Sequence, residues 1–178
     1  MTPTIRTAKD LFGFPNPVNE LAARVVATGV VVMCALCLAL GQPWLLVPLA
    51  YGFWARVLSG PKLSPLGLVA TRLVAPRLGP PRLVAGPPKR FAQAIGVCFS
   101  TVALVLWSGF GELTAAYALV GMLGLAASLE AFAGLCIGCR IFGFLAARGV
   151  VPEEVCEKCS NIALRHEEVL DATATGTL

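Results

Sequence analysis

Seven cysteines are spread along this chain of 178 residues: Cys34, Cys37, Cys98, Cys136, Cys139, Cys156 and Cys159. Six of them fall in three CxxC pairs, and the odd total argues against a closed disulfide framework. Two of the pairs lie near the carboxyl end, Cys136-Ile-Gly-Cys139 and Cys156-Glu-Lys-Cys159, with sixteen residues between them. Knuckles about 15–20 residues apart have the ligand spacing of a four-thiolate zinc site, in which each knuckle turns two sulfurs towards one ion and the spacer loops back. Zinc held by Cys136, Cys139, Cys156 and Cys159 would release protons on binding and staple the carboxyl-terminal stretch to the element before it. The same residues also read as thiol chemistry. A CxxC at a polar interface can have one thiol shifted towards neutrality, here with Arg140 alongside, so that Cys136 and Cys139 could exchange disulfides or carry a sulfane sulfur. Spacing alone leaves both readings open.

The remaining candidates point elsewhere. Cys34-Ala-Leu-Cys37 lies deep in an apolar run, where positions i and i+3 share a helix face and buried thiols are inert, so packing is its reading; Cys98 is read the same way. Glu130 is the one carboxylate inside an apolar run, and an acid in lipid is a candidate for proton transfer, ion binding or an interhelical bond. On a continuous helix it would lie about 120° around from Cys136 and about 180° from Cys139, away from the thiols. Its expected partner is an arginine such as Arg56. His166 is the only histidine, which excludes a paired-histidine haem and a His-Glu-x-x-His motif, and there is no glycine-rich phosphate loop.

The elements that must hold these residues follow from composition. Hydrophobic residues make up 57% of the chain and charged ones 13%, about half the share in an ordinary soluble domain, so lipid is the expected solvent. The formal net charge of +4 lacks the dense basic face of a nucleic-acid binder, and no nucleic-acid partner is expected. A bilayer core needs about 20 predominantly apolar residues in helix. Four stretches offer this, residues 21–40, a short one at 44–58, 91–109 and 113–136, joined in pairs by Gly41-Gln42-Pro43 and by Ser108 to Glu112. Asp10 and Glu20 in the leading residues argue against a secretory signal. Lysine and arginine populate the amino-terminal flank, the middle segment and the carboxyl-terminal stretch, whereas the two turns carry only Glu112. Positive residues are retained inside, so both termini are expected to be cytoplasmic.

The expected fold is therefore all-α, an integral membrane four-helix bundle made of two helical hairpins. Its parts are a cytoplasmic segment 1–20, a first hairpin 21–58, a basic Pro/Gly-rich interfacial segment 59–90, a second hairpin 91–136, a cytoplasmic cysteine-knuckle segment 137–165 and a polar tail 166–178. Within the middle segment, Leu66 to Leu78 has near-helical spacing and suggests an amphipathic helix in the inner interface or a loop packed on the bundle. Small residues pair at helical spacing in the fourth span, Gly124 with Ser128, Ala127 with Ala131 and Gly134 with Gly138, which allows close helix contact and a homo-oligomer.

The opening Asp10-Leu-Phe-Gly-Phe-Pro-Asn-Pro-Val-Asn19, the four spans, Cys-Ile-Gly-Cys at 136–139 and Val-Val-Pro-Glu-Glu-Val-Cys-Glu-Lys-Cys at 150–159 together resemble actinobacterial membrane proteins catalogued as domain of unknown function 4395. The resemblance covers residues 10–165, with C-x-G-C its most specific element. It implies a membrane location and a link to thiol or sulfur metabolism through thioredoxin-like or sulfurtransferase partners, without an established activity. Three functions remain on the sequence: thiol or zinc chemistry at a cytoplasmic-face cluster of Cys136, Cys139, Cys156 and Cys159; a non-catalytic, zinc-stapled subunit of a larger membrane complex; and a transporter working through Glu130.

Overall fold

The structure is a computed structural model that describes residues 16–150. Asn19 ends a two-residue strand, β1 (Val18–Asn19), and begins the first helix: its side-chain oxygen accepts the Leu21 N–H at 3.0 Å. This is α1 (Glu20–Leu40), closed by Gly41 in the left-handed region at φ 60°. A 3-10 turn at Pro43–Leu45 leads into α2 (Leu46–Ser59). The middle segment is mostly helical: α3 (Pro65–Val69), a wider-wound π turn (Ala70–Val74) and α4 (Ala75–Leu78) run on from one another. Then come β2 (Leu83–Val84), α5 (Gly86–Phe110), α6 (Leu113–Ala133) and α7 (Ile137–Ala147). β1 and β2 pair antiparallel, Val18 opposite Val84, so the amino-terminal entry is tied to the middle segment and the fold is not wholly helical.

Three helices, α1, α5 and α6, are long and apolar enough to cross a membrane. At 1.5 Å per residue, 21 residues reach about 31 Å, the depth of a bilayer core. The fourth expected stretch forms only the 14-residue α2, about 21 Å long, because Pro43 opens a 3-10 turn before it and Gly60-Pro61 stop it. The outward faces of the long helices are greasy: Leu125 is 70% exposed and Phe132 73%, an arrangement compatible with a lipid bilayer.

Only one of the two expected hairpins closes on itself. α1 packs along α6, α2 along α5, and α5 along α6, whereas α1 and α2 barely meet. Residues 21–58 therefore do not close into a self-contained hairpin; their two helices flank the α5–α6 pair. All four helices still share one core, including Val30 and Cys37 of α1, Leu49 and Phe53 of α2, Ala103 of α5 and Val120 of α6. Small residues permit this approach. Gly96 on α5 lies directly beneath the Phe53 ring, and a Cβ at Gly124 on α6 would meet the Cys34 Cβ at 3.1 Å. The π turn and its flanking helices lie against α1, burying Ala70 and Ala75 while Arg72 and Arg77 face outward. The middle segment is thus both helical and packed.

Candidate functional site

The expected fourth span runs to Cys136, but α6 stops three residues earlier. Gly134 adopts φ 68°, a left-handed conformation that glycine takes without strain, and the Leu135 N–H turns back to the Leu129 carbonyl at 3.0 Å. Arg24 of α1 occupies this end: its guanidinium donates to the Ala131 carbonyl at 3.2 Å and to the Phe132 carbonyl at 3.1 Å, satisfying acceptors that the break leaves open. Cys136 is extended, at φ −84° and ψ 105°, and is the N-cap residue of α7. Gly134 and Gly138 thus lie on either side of a break rather than on one helix face. The new helix is pinned to the start of α5, with Phe142 5.7 Å from Phe91 between ring centroids. A Cβ at Gly138 would sit 2.6 Å from the Ala92 Cα, so glycine is what lets α7 press this closely.

Two thiols result, Cys136 buried at 8% exposure and Cys139 half-buried, one turn apart at a helix N-terminus. The Cys139 thiol hydrogen-bonds to Cys136 and holds its pKa below the ordinary thiol value; the Lys89 ammonium and the Cys139 backbone N–H act in the same direction, opposed by burial and by Glu130. Cys139 is driven the other way, well above the ordinary range, first because it is the donor in that thiol–thiol bond and then by burial. The thiol–thiol hydrogen bond thus moves the two in opposite directions, Cys136 down and Cys139 up, and makes Cys136 the thiol favoured for ionisation.

Lys89 and Glu130 form an ion pair at 2.6 Å, with side chains 12% and 14% exposed, that faces both sulfurs. The expected arginine partner of Glu130 is replaced by this lysine. Arg56 instead donates to Gln93 Oε1 at 2.8 Å and to Ser64 Oγ at 3.4 Å, and lies 4.5 Å from the Phe53 ring centroid. The expected separation of Glu130 from the thiols assumed an unbroken helix; the turn at Gly134 swings the CxxC back over the start of α5, where Lys89 and Glu130 meet. A mostly apolar cleft of about 300 Å³ opens beside them, with Cys136, Glu130, Phe53, Phe99, Met122 and Ile137 in its wall.

Lys89 and Arg24 are the site residues that sequence reading missed, and Gly138, expected to pack within the fourth span, instead packs α7 onto α5. Lys89 follows Pro87-Pro88, a proline pair that marks a first helical turn and could have moved the start of α5 back from Phe91 to Gly86. Of the other cysteines, Cys34 packs against Gly124, Cys37 Sγ approaches the Gln42 carbonyl at 3.5 Å, and Cys98 is exposed. Cys156 and Cys159 lie outside the described residues. Among the described residues no group of three or more His, Cys, Asp or Glu side chains could hold a metal ion, so Cys136 and Cys139 supply at most half of the expected zinc set.

One family model, described as Domain of unknown function (DUF4395), matches residues 18–147. That span is narrower than the expected 10–165; it contains the Cys136–Cys139 pair and ends with α7. No curated protein and no solved structure matches the chain.

Proposed function

This chain belongs to the family described as Domain of unknown function (DUF4395), and from that premise we propose that it is a membrane dithiol that exchanges disulfides, or passes sulfur, at one face of the bilayer. The observation that carries the reading is the polarised CxxC: Cys136 at the N-cap of α7 with a lowered pKa, hydrogen-bonded by a Cys139 that stays protonated. The thiolate is the attacking species, so Cys136 is the nucleophile and Cys139 the resolving thiol. Cys136 attacks one sulfur of a partner disulfide, forming a mixed disulfide and expelling the other sulfur as thiolate. Cys139 then attacks the Cys136 sulfur of the mixed disulfide, its proton passes to a departing thiolate, and the products are the Cys136–Cys139 disulfide and a reduced partner. A thioredoxin-like or sulfurtransferase protein has the chemistry such a partner needs. The matched family span contains this pair and stops short of Cys156, which favours a two-cysteine centre over a zinc cage.

The site belongs, on this proposal, to the inner face of the cytoplasmic membrane, with α2 as a short fourth span and both termini inside. The ten lysines and arginines among the described residues gather at the CxxC end of the helices, and the opposite end carries Glu112. At that opposite end Trp44 and Trp107 stack edge to face at 5.1 Å, as in an interfacial aromatic belt. Pairing with Lys89 neutralises Glu130, which favours an electrostatic role at the thiols over transport.

The test is trapping in membranes. Cys139→Ser should accumulate a mixed disulfide through Cys136, visible as a reductant-sensitive adduct, and Cys136→Ser should not. If neither variant traps a partner and the native pair stays dithiol under both oxidant and reductant, the proposal fails.

A further inference from the structure

The cleft beside Cys136 is walled by α1, α5 and α6, the three membrane-length helices, together with α7 and Phe53 of α2. Its wall runs along α6 from Met122 to Glu130, about 12 Å of helix, and along α5 from Ala92 to Phe99. The polar side chains in the wall are Gln93, Glu130 and Cys136. They come from the start of α5, the end of α6 and the break before α7, so they share one end of the cleft. Away from that end the wall is apolar and carries the rings of Phe53 and Phe99. Met122, Ile137 and Ile141 belong to the wall and are themselves exposed, so the cleft opens on to the apolar outer surface. Small-molecule sites are lined in this way, by apolar and aromatic side chains with a few polar groups at fixed points.

These features select an occupant. It must dissolve in lipid, because the mouth lies on the apolar surface. A plain acyl chain meets that condition but leaves the polar end, with its thiol, without a counterpart. An occupant that engages both ends has a flat ring with polar edges and an apolar tail. One that also uses Cys136 accepts two electrons and two protons, which is what a dithiol yields on closing to a disulfide. A quinone has all of these properties.

We propose that the cleft binds a lipid-soluble quinone and that the Cys136–Cys139 dithiol reduces it. This rests on the dithiol reading above and names its second substrate. Two S–H bonds break and one S–S bond forms. The two electrons reduce the ring, and the two protons end on its carbonyl oxygens, which become the hydroxyls of a hydroquinone. Disulfide exchange is reversible, so a partner dithiol then returns the pair to its thiol form, and the cycle carries electrons from that partner into the membrane.

The experiment mixes the full chain, reduced in detergent without oxygen, with decylubiquinone and follows the quinone absorbance. Dithiodipyridine, a small neutral disulfide that needs no cleft, reports on the thiols by themselves. One quinone should be consumed per disulfide formed, at a rate that saturates with quinone. Ala126→Phe puts a ring in place of a methyl in the wall, away from the thiols, and should slow the reaction at low quinone about tenfold or more while leaving dithiodipyridine reduction unchanged. Leu125→Phe, at an exposed position beside it, should change neither. A quinone left unreduced while dithiodipyridine closes the disulfide overturns this proposal and leaves the dithiol reading standing; a pair inert to both overturns the two together. An azidoquinone photoprobe on the native chain needs no variant: its adducts should map to wall residues such as Phe99, Met122 or Ile141 and be suppressed by decylubiquinone. Adducts confined to outward residues such as Leu125 and Phe132 overturn the site, as does a folded Ala126→Phe chain that reduces the quinone as fast as the native one.

Discussion

Gly138→Ala is the substitution through which the docking of α7 can be measured. The new Cβ would lie 2.6 Å from the Cα of Ala92, a backbone atom that cannot rotate out of the way, and overpacking of this kind costs about 1–3 kcal/mol. Against it stands the helix propensity of alanine, about 1 kcal/mol better than glycine. The net penalty falls on the α7–α5 contact and is about 0–2 kcal/mol, where each 1.4 kcal/mol is tenfold in the docking equilibrium. Gly143 supplies the control: it is on the same helix with nothing within 4 Å, so Gly143→Ala gains the propensity without the clash. The assay is the rate of Cys136 alkylation by a neutral reagent at fixed pH, resolved by mass spectrometry and divided into the rate for the unfolded chain. Cys136 is 8% exposed when α7 is docked, so it should be protected in the native protein and in Gly143→Ala. In Gly138→Ala the protection should fall, by up to about thirtyfold for a 2 kcal/mol penalty. If the two variants protect Cys136 equally, the close approach at Ala92 does not hold the site together.

Other outcomes follow from the same geometry. Lys89→Met removes a charge that lowers the Cys136 pKa and leaves Glu130 unpaired beside it, so Cys136 should titrate higher, with about tenfold less thiolate near neutrality for each unit of the rise. In the native protein, alkylation should begin at Cys136 below the ordinary thiol pKa of 9.0, while Cys139 resists above it. The Cys139 pKa is raised on folding, so above pH 9.0 the unfolded chain loses a proton that the native state keeps, and thermal stability should fall as pH rises past that point. Arg24→Met strips the hydrogen bonds to the Ala131 and Phe132 carbonyls and should cost about 1–3 kcal/mol, read as a lower Tm, with Arg24→Lys recovering part of it. Metal analysis of the reduced full-length chain should find no stoichiometric zinc; zinc that disappears in Cys156→Ser and Cys159→Ser variants would replace the dithiol proposal with a four-thiolate site.

Local chemistry was legible in the sequence wherever a residue acts through its own neighbours. The hinges at Gly41-Gln42-Pro43 and at Ser108 to Glu112 announce stops, and runs of some twenty apolar residues announce membrane-length helices, because backbone freedom and hydropathy are both properties of a few consecutive residues. The CxxC at 136–139 was equally visible as a pair of neighbouring thiols. Its surroundings were not. Gly134 was read as a small packing residue and turned out to end the helix, and that one change of direction undid the angular separation of Glu130 from the thiols.

The sequence by itself determined that this chain carries helices long and apolar enough to cross a membrane, that it is built mainly of helices, and that it has paired cysteines near the carboxyl end. Tertiary structure alone decided that Glu130 is answered by Lys89, 41 residues away, that Arg24 closes the end of α6 from 107 residues away, and that Arg56 is left with an unanswered N–H. The physical reason is range. Helix formation is settled within a turn or two of chain, whereas the partner of a buried charge depends on which helix faces come together, and here α1 and α2 separate to flank α5 and α6.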